Sequence, residues 1–376
     1  MITVDYLIVG SGLTGAVIAR ALLDAGREVL VVDRRSHMGG NVHDHAHASG
    51  IRIHTYGPHY FRTSSDRIWE FANRFSSFYR YEAALLSDVA GELAQWPIAG
   101  SYIQKLVGER WAPEFKGKPT NFEEAALSLM PRRVYELFVK EYNEKQWGVP
   151  AHTLAARLCT RFDVRHDDEP RLKPDCKHQG IPELGYAGWM REMLRGVPVL
   201  LNFDYLRNRE RTKARRLLVF TGPIDEYFGF DLGRLHYRGQ RRIHEYLPDV
   251  DRAQPCGQLN NPTHAGGPHI RTLEWKHMMR PDVASRIRGT VLTREITYSP
   301  EEPSAYEYPF PDDANQALYQ RYRDRADALE RVLVCGRLGE YRYFDMDQAI
   351  ARAMVLAERV LADASSVGNV EALPAV

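Results

Sequence analysis

The feature that most constrains this chain lies at its start. There the apolar run Tyr6-Leu7-Ile8-Val9 enters Gly10-Ser11-Gly12-Leu13-Thr14-Gly15, and a helix-forming segment, residues 16 to 25, follows at once. A strand, a turn with glycines in Gly-x-Gly-x-x-Gly spacing and a helix together make a dinucleotide-binding βαβ unit. Each glycine answers a separate demand: Gly10 turns the chain sharply out of the strand, Gly12 lets backbone approach a pyrophosphate, and Gly15 lets helix and strand pack closely. Phosphates then meet a helix N-terminus, where unpaired amides and the macrodipole favour negative charge. A second apolar run, residues 28 to 32, ends at Asp33, near the spacing at which a carboxylate accepts hydrogen bonds from a ribose.

At 376 residues the chain is long enough for two or three domains with sizeable cores. Its formal charge of +1 gives no bias toward nucleic acid or an anionic membrane, so neither is expected as a partner. The basic cluster at residues 238 to 242 reads as a solvated face, with phosphate binding as the other option. Cys159, Cys176, Cys256 and Cys335 lack Cys-x-x-Cys spacing, which suggests free thiols in a reducing compartment and no metal site. The first strand begins at the N-terminus and leaves no room for a signal peptide, and no apolar run approaches the length of a membrane span. A cytoplasmic protein is expected.

After Asp33 comes a second glycine-bearing loop, Arg34-Arg35-Ser36-His37-Met38-Gly39-Gly40-Asn41. Nicotinamide-binding Rossmann domains do not need this pair, whereas flavoproteins resembling glutathione reductase or the amine oxidases carry one, which moves the expected cofactor to FAD. Residues 51 to 56 alternate as a strand, and Gly57-Pro58 breaks it, placing His59 and Arg62 in a loop. A helix is expected over 65–78, a hairpin over 83–89 and 92–96, and helices over 103–107, 121–130 and 131–147. Residues 148 to 182 carry four prolines and Arg157, Arg161, Arg165 and Arg171, and read either as a basic lid or as a poorly ordered connection. Beyond them come a helix over 185–194, strands over 197–201 and 216–220, irregular antiparallel alternation over 234–300, a strand over 332–335, a helix over 346–361 and a frayed tail from 365.

The expected fold is α/β, a Rossmann-like FAD-binding domain with an inserted helical domain and an antiparallel-sheet substrate domain. The cofactor domain takes residues 1–78, 179–233 and 318–364, the helical domain with its mobile loop 98–178, and the substrate sheet 79–97 and 234–317.

Several stretches, in this order, resemble the flavin-dependent UDP-galactopyranose mutases. They are Gly10 to Gly15, Gly39-Gly40-Asn41, Tyr56-Gly57-Pro58-His59, Lys145-Gln146-Trp147-Gly148, Gln179-Gly180-Ile181-Pro182, Gly222-Pro223-Ile224-Asp225 and Gly336-Arg337-Leu338-Gly339-Glu340-Tyr341-Arg342-Tyr343-Phe344-Asp345-Met346-Asp347. The resemblance runs to about residue 361. It implies an isomerase that interconverts pyranose and furanose forms of a nucleotide sugar with no net redox change. Reduced FAD is nevertheless required, because its N5 atom bonds to the anomeric carbon. An external reductant, NAD(P)H or a flavin reductase, and a homodimer belong to the same expectation.

By this resemblance Arg161 and Arg271 would grip the diphosphate, for which a guanidinium fork is suited, and Tyr308 and Tyr343 would donate hydroxyls to it. Arg238 and Asn261 fall near further substrate contacts, Phe138 and Tyr142 near the nucleotide, and Trp147 beside the sugar. FAD would be held by Gly10, Gly12, Leu13, Thr14, Gly15, Asp33, Arg34, Gly39, Gly40, Asn41, His59 and Tyr60, and by Arg337, Asp345, Met346, Asp347, Gln348 and Ile350. Three departures stand out. Arg62 replaces the second histidine of Gly-Pro-His-x-Phe-His and joins the catalytic candidates, Ala83 stands where relatives often have Asn or His near the sugar, and Lys173-Pro174 stands where a Tyr-Phe pair is expected. They cluster on the substrate side, so mutase chemistry is expected on UDP-galactopyranose, the default, or on a related nucleotide sugar with a different sugar or base. An FAD-dependent oxidoreductase acting on a small amine or sugar, and a nucleotide-sugar binding protein without turnover, remain open alternatives.

Overall fold

The computed structural model describes residues 1–161 and 164–363. Val29–Val32 is buried at every position, as a central strand covered on both faces requires. It lies in a five-stranded parallel sheet in the order Val199–Leu200, Val29–Val32, Ile2–Val9, Thr212–Phe220, Val332–Val334. The helix Leu13–Asp24 leaves the first strand through the glycine turn and packs against the last helix, Met346–Asp363. Ala16, Val17 and Ile18 from the first helix and Ile350, Ala353 and Ala357 from the last share one core with Ile8, Val31 and Trp189. The end of the described chain is thereby returned to the glycine turn.

The second sheet has seven strands in the order Tyr308–Pro309, Tyr237–Leu247, Thr290–Tyr298, Arg271–Glu274, Gln258–Asn260, Leu85–Val89, Glu92–Trp96. All its pairings are antiparallel except that of Gln258–Asn260 with Leu85–Val89. Between 89 and 164 a separate hydrophobic cluster forms around Phe122, Ala126, Val134, Tyr135 and Phe138. Helix Phe122–Leu127 starts as the sequence suggests, with the Asn121 side chain accepting from Glu124 N at 3.0 Å. The helix expected over 131–147 follows Arg132–Val134, Tyr135–Lys140 and Glu141–Trp147 without leaving helical dihedrals, but its middle turn widens to π geometry. A π turn carries an extra residue and rotates everything after it, here Tyr142, Gln146 and Trp147.

Four expectations are corrected. Arg62 is not in a loop: Phe61–Thr63 pairs with His178–Pro182, which pairs in turn with Phe78–Arg80. Residues 178 to 182 therefore belong to a strand and not to an aperiodic connection, and the helix expected over 65–78 stops at Asn73. Both changes come from partners more than a hundred residues away, which local propensity does not register. The basic cluster is not a solvated face either, since Arg238 is buried and the Arg242 side chain is 8% exposed. Among the described residues no helix is long and apolar enough to cross a membrane. The tail from 364 onward lies outside the described residues.

Candidate functional site

The glycine turn and the second glycine loop close on each other. Gly39 N donates to Ser11 O at 3.0 Å, and a Cβ on Gly40 would stand 2.9 Å from Gly12 Cα. Gly10 has φ +106°, and a Cβ there would fall 2.0 Å from Thr221 Oγ1. Gly12 caps the helix without a capping side chain, so Leu13, Thr14 and Gly15 open it with first-turn amides that need an acceptor. This cradle, which side chains would fill, fits the pyrophosphate of a dinucleotide. Asp33 braces it: Ser11 N and Oγ donate to Oδ2 at 2.7 and 2.6 Å, and Arg35 N donates to Oδ1 at 2.9 Å. Arg34 forms a bidentate pair with Glu226 at 2.9 and 2.8 Å, and Asn41 Oδ1 accepts from Arg35.

His59, in the loop after Gly57-Pro58, is half-buried with Nδ1 2.7 Å from Gly57 O. Burial, helped by His54 and Arg337, pulls its pKa down to about 3, so the ring is neutral at ordinary pH. Tyr60 donates to Gln258 Oε1 at 3.2 Å and stacks on Tyr81. Arg337 donates to Phe344 O at 2.7 Å and lies 4.7 Å from the centre of the Tyr343 ring. Asp345 accepts from Arg62 Nη2 at 3.2 Å and from the Tyr343 hydroxyl at 3.1 Å, while Asp345 N donates to Gln348 Oε1 at 3.0 Å. Met346 and Asp347 open the last helix, whereas Ile350 is fully buried in the core it shares with the first helix and so packs that helix instead of facing a cofactor.

Tyr142, Trp147, Arg271, Tyr308 and Tyr343 line one cavity of about 210 Å³, completed by Asn143, Gln146, Leu158 and Gln240. Arg271 enters it from the end of its strand, donating through Nε to Glu295 Oε2 at 2.5 Å. Among the described residues its Nη1 and Nη2 take no protein acceptor. Glu295 also accepts from Arg242 Nε at 2.8 Å, and Arg242 closes a bidentate pair with Glu307 at 2.9 and 2.8 Å. Burial alone would push Glu295 toward neutrality, but Arg271 and Arg242 outweigh it and hold its pKa below the usual carboxylate value. Burial would likewise lower Arg271, and the pull of Glu295 reverses that, so the cavity keeps a permanent positive charge. Burial raises the pKa of Tyr142 and Tyr308, which keeps both hydroxyls protonated as donors.

Other predicted contacts stand apart from this cavity. Phe138 is 2% exposed and meets Tyr102 edge-on in the helical core. Arg238 donates to Gln146 O at 2.8 Å, Ser299 Oγ at 2.7 Å and Lys145 O at 3.3 Å, so its guanidinium holds the end of the helix Glu141–Trp147. Asn261 donates its amide to Gly266 O and His269 O, both at 2.9 Å. Ala83 O accepts from Leu172 N and Lys173 O accepts from Gln179 Nε2, which puts both beside a wider groove of about 460 Å³. The charges of that groove are paired internally, Arg171 with Glu169 and Glu82, and Lys177 with Asp66. The Arg161 side chain lies outside the described residues.

Sequence reasoning missed Glu295 and Glu307, and it named Lys145 and Arg242 only within a motif and a basic cluster. One signal was available for Glu295: Val291, Thr293 and Glu295 alternate on the buried face of a single strand. A carboxylate in that position requires a cationic partner.

A glycine-closed cofactor cradle joined to a cavity with a fixed cation and tyrosine hydroxyls defines a flavoprotein that handles a phosphorylated substrate. A family model for UDP-galactopyranose mutase matches residues 137–343, and one for an NAD(P)-binding Rossmann-like domain matches residues 8–75. Among curated proteins, the probable UDP-galactopyranose mutase of Klebsiella pneumoniae is 30% identical over 98% of this chain and 97% of its own length. The dTDP-fucopyranose mutase of Escherichia coli is 28% identical over 94% of this chain and 97% of its own. A crystal structure of reduced UDP-galactopyranose mutase shares the fold with a TM-score of 0.75, at 15% identity over 96% of each chain. Putrescine oxidase does so at 0.59, with 14% identity over 96% of this chain and 99% of its own. The chain belongs to the UDP-galactopyranose mutase family and is a nucleotide-sugar pyranose/furanose mutase, an isomerase with a flavin cofactor.

Proposed function

We propose that the cofactor is FAD, active in its reduced form, and that the substrate is UDP-galactopyranose or a related nucleoside-diphosphate sugar, converted to its furanose form. The observation that carries this reading is the cavity itself. It brings Arg271, whose Nε alone is held by Glu295 among the described residues, into one cavity with Tyr142 and Tyr308. Tyr343, on the same cavity, is linked through Asp345 to Arg62 and to the opening of the last helix on the cofactor side.

Bound as reduced FAD, the flavin would supply a nucleophilic nitrogen for the anomeric carbon. The chain's own residues make departure of the nucleotide possible. Arg271 meets the diphosphate with charge already fixed by Glu295, so the negative charge gained on bond cleavage falls on donors that need no rearrangement. The protonated Tyr142 and Tyr308 hydroxyls add neutral donors, and Tyr343 a third. Trp147, 5% exposed, closes the sugar end and limits water. Arg161 is the second diphosphate arginine and Arg62 the charge beside the flavin, while Ala83 and Lys173 set sugar preference from the neighbouring groove. An external reductant primes the flavin before the first turnover, and the chain divides into cofactor, helical and substrate-sheet domains. Conversion of nucleotide sugars by dithionite-reduced protein, followed by chromatography, tests this reading.

A further inference from the structure

Lys145 belongs to the stretch Lys-Gln-Trp-Gly, yet it does not line the cavity. Its side chain is turned away and 8% exposed, and its ammonium donates to four backbone carbonyls. These are Asn261 O at 2.6 Å, Thr263 O at 2.9 Å, His269 O at 2.9 Å and Gly267 O at 3.3 Å. All four lie in one connection, which leaves the strand Gln258–Asn260 and returns as Arg271–Glu274, with Asn260 paired to Arg271. The connection, residues 261–270, is otherwise built of small polar residues, alanine, glycine, proline and histidine, and Ile270 is its one large aliphatic side chain. The ammonium acts as its core.

The other end of Lys145 is equally fixed. Its carbonyl accepts from Thr297 Oγ1 and Arg238 Nη2, and the next carbonyl, of Gln146, accepts from Arg238 Nε. The same turn of helix presents Tyr142, Gln146 and Trp147 to the cavity, and the connection delivers Arg271 to its opposite wall.

We infer that Lys145 is a positioning residue that ties the loop before Arg271 to the helix carrying Tyr142 and Trp147, so that the two walls of the cavity keep the separation a diphosphate requires. This rests on the proposed diphosphate site. Without the lysine, the four converging carbonyls keep only the Asn261 amide between them, which reaches Gly267 O and His269 O, and the loop must open to hydrate the rest. The charged form is the one that fits, because it alone has three protons to share among the four acceptors. Burial lowers its pKa to about 8, opposed by Glu141 one turn earlier. The other charged or titratable groups around it are His269 in the loop, Arg238 on the strand Tyr237–Leu247, and Glu144, whose Oε1 accepts from Ala151 N.

The test is a double-mutant cycle on the FAD-loaded protein, with UDP affinity measured by calorimetry for wild type, Lys145→Met, Arg271→Ala and the double variant. Wild-type affinity for UDP checks the underlying diphosphate reading by itself. A lysine acting through Arg271 gives a loss of about tenfold or more in the wild-type background and less than about threefold in the Arg271→Ala background. Equal losses in the two backgrounds, or none in the first, overturn the inference. If Lys145→Met does not fold, wild type and Arg271→Ala are titrated with UDP between pH 7 and 9. Affinity that declines above about pH 8 only in wild type supports the tie, since Lys145 loses its charge there, and parallel profiles refute it.

Discussion

Arg271 reaches the cavity with one arm already held: its Nε donates to Glu295 Oε2 at 2.5 Å, and the Glu295 side chain has no exposure to solvent. The cation that lines the cavity is therefore held by a buried anion, and the same anion is shared with Arg242. Two arginines and two glutamates in this chain of contacts balance each other, and Arg271 is the member that lines the cavity. Preorganisation of this kind costs stability when one member is removed.

Glu295→Gln keeps the shape and deletes the charge. It leaves Arg271 and Arg242 facing a neutral amide, and stability in urea unfolding is expected to fall by about 3 kcal/mol. UDP affinity is expected to fall as well, because Arg271 loses the partner that orients it. A variant as stable as wild type, with unchanged UDP affinity, would show that the anion does not organise the site.

Gly57 links the two halves of the site. Its φ is +93°, and a Cβ there would lie 2.8 Å from Glu295 Oε1. Gly57→Ala is expected to lower stability by about 1–3 kcal/mol through backbone strain and to reduce FAD content, since Pro58 and His59 follow directly. The ratio of flavin absorbance to protein absorbance in the purified variant reads this out, and full FAD occupancy counts against the link.

Tyr308 and Tyr343 stack with ring centres 6.0 Å apart, and Arg337 lies beside both. Replacing either by Phe removes a hydroxyl donor to a charged group, and turnover is expected to drop about tenfold or more with the fold intact. Steady-state kinetics of Tyr308→Phe and Tyr343→Phe check this. Wild-type turnover in both would remove the tyrosines from the diphosphate site.

Three histidines near the cofactor loops are held neutral. Burial takes His54 and His59 to about 3 and His43 to about 4, from an ordinary value of 6.5. In the unfolded chain they take up protons first as the pH drops, so their contribution is complete above pH 6.5 and is lost as pH falls through 4 toward 3. Melting temperature is expected to fall steadily from pH 6.5 to 4, and flavin fluorescence to report release over the same range. A flat profile would mean that these rings are solvated.

The cofactor half of this architecture is legible because its demands are local. Gly10 and Gly15 each meet a steric need that only glycine satisfies, and the runs beside them are buried strands. The substrate half depends on contacts across the chain. Nothing near Arg62 announces pairing with Gln179, and nothing near Lys145 distinguishes a lysine inside four carbonyls from one in water. Arg238 shows the converse: resemblance gives it a substrate role, while its donors go to the helix end at Lys145 and Gln146. The π turn at Tyr135–Lys140 has no sequence marker, yet it sets the phase that puts Tyr142 and Trp147 on the cavity and Phe138 in the core.

The central claim is that the flavin acts in its reduced state with no net redox change. Anaerobic incubation of UDP-galactopyranose and a panel of related nucleotide sugars with FAD-loaded protein, oxidised or reduced by dithionite, measures this most directly. Chromatography is expected to show an isomeric nucleotide sugar only with the reduced protein, whose flavin spectrum stays reduced through many turnovers. Equal conversion by oxidised protein, or stoichiometric bleaching of oxidised flavin by one of the sugars, would contradict it.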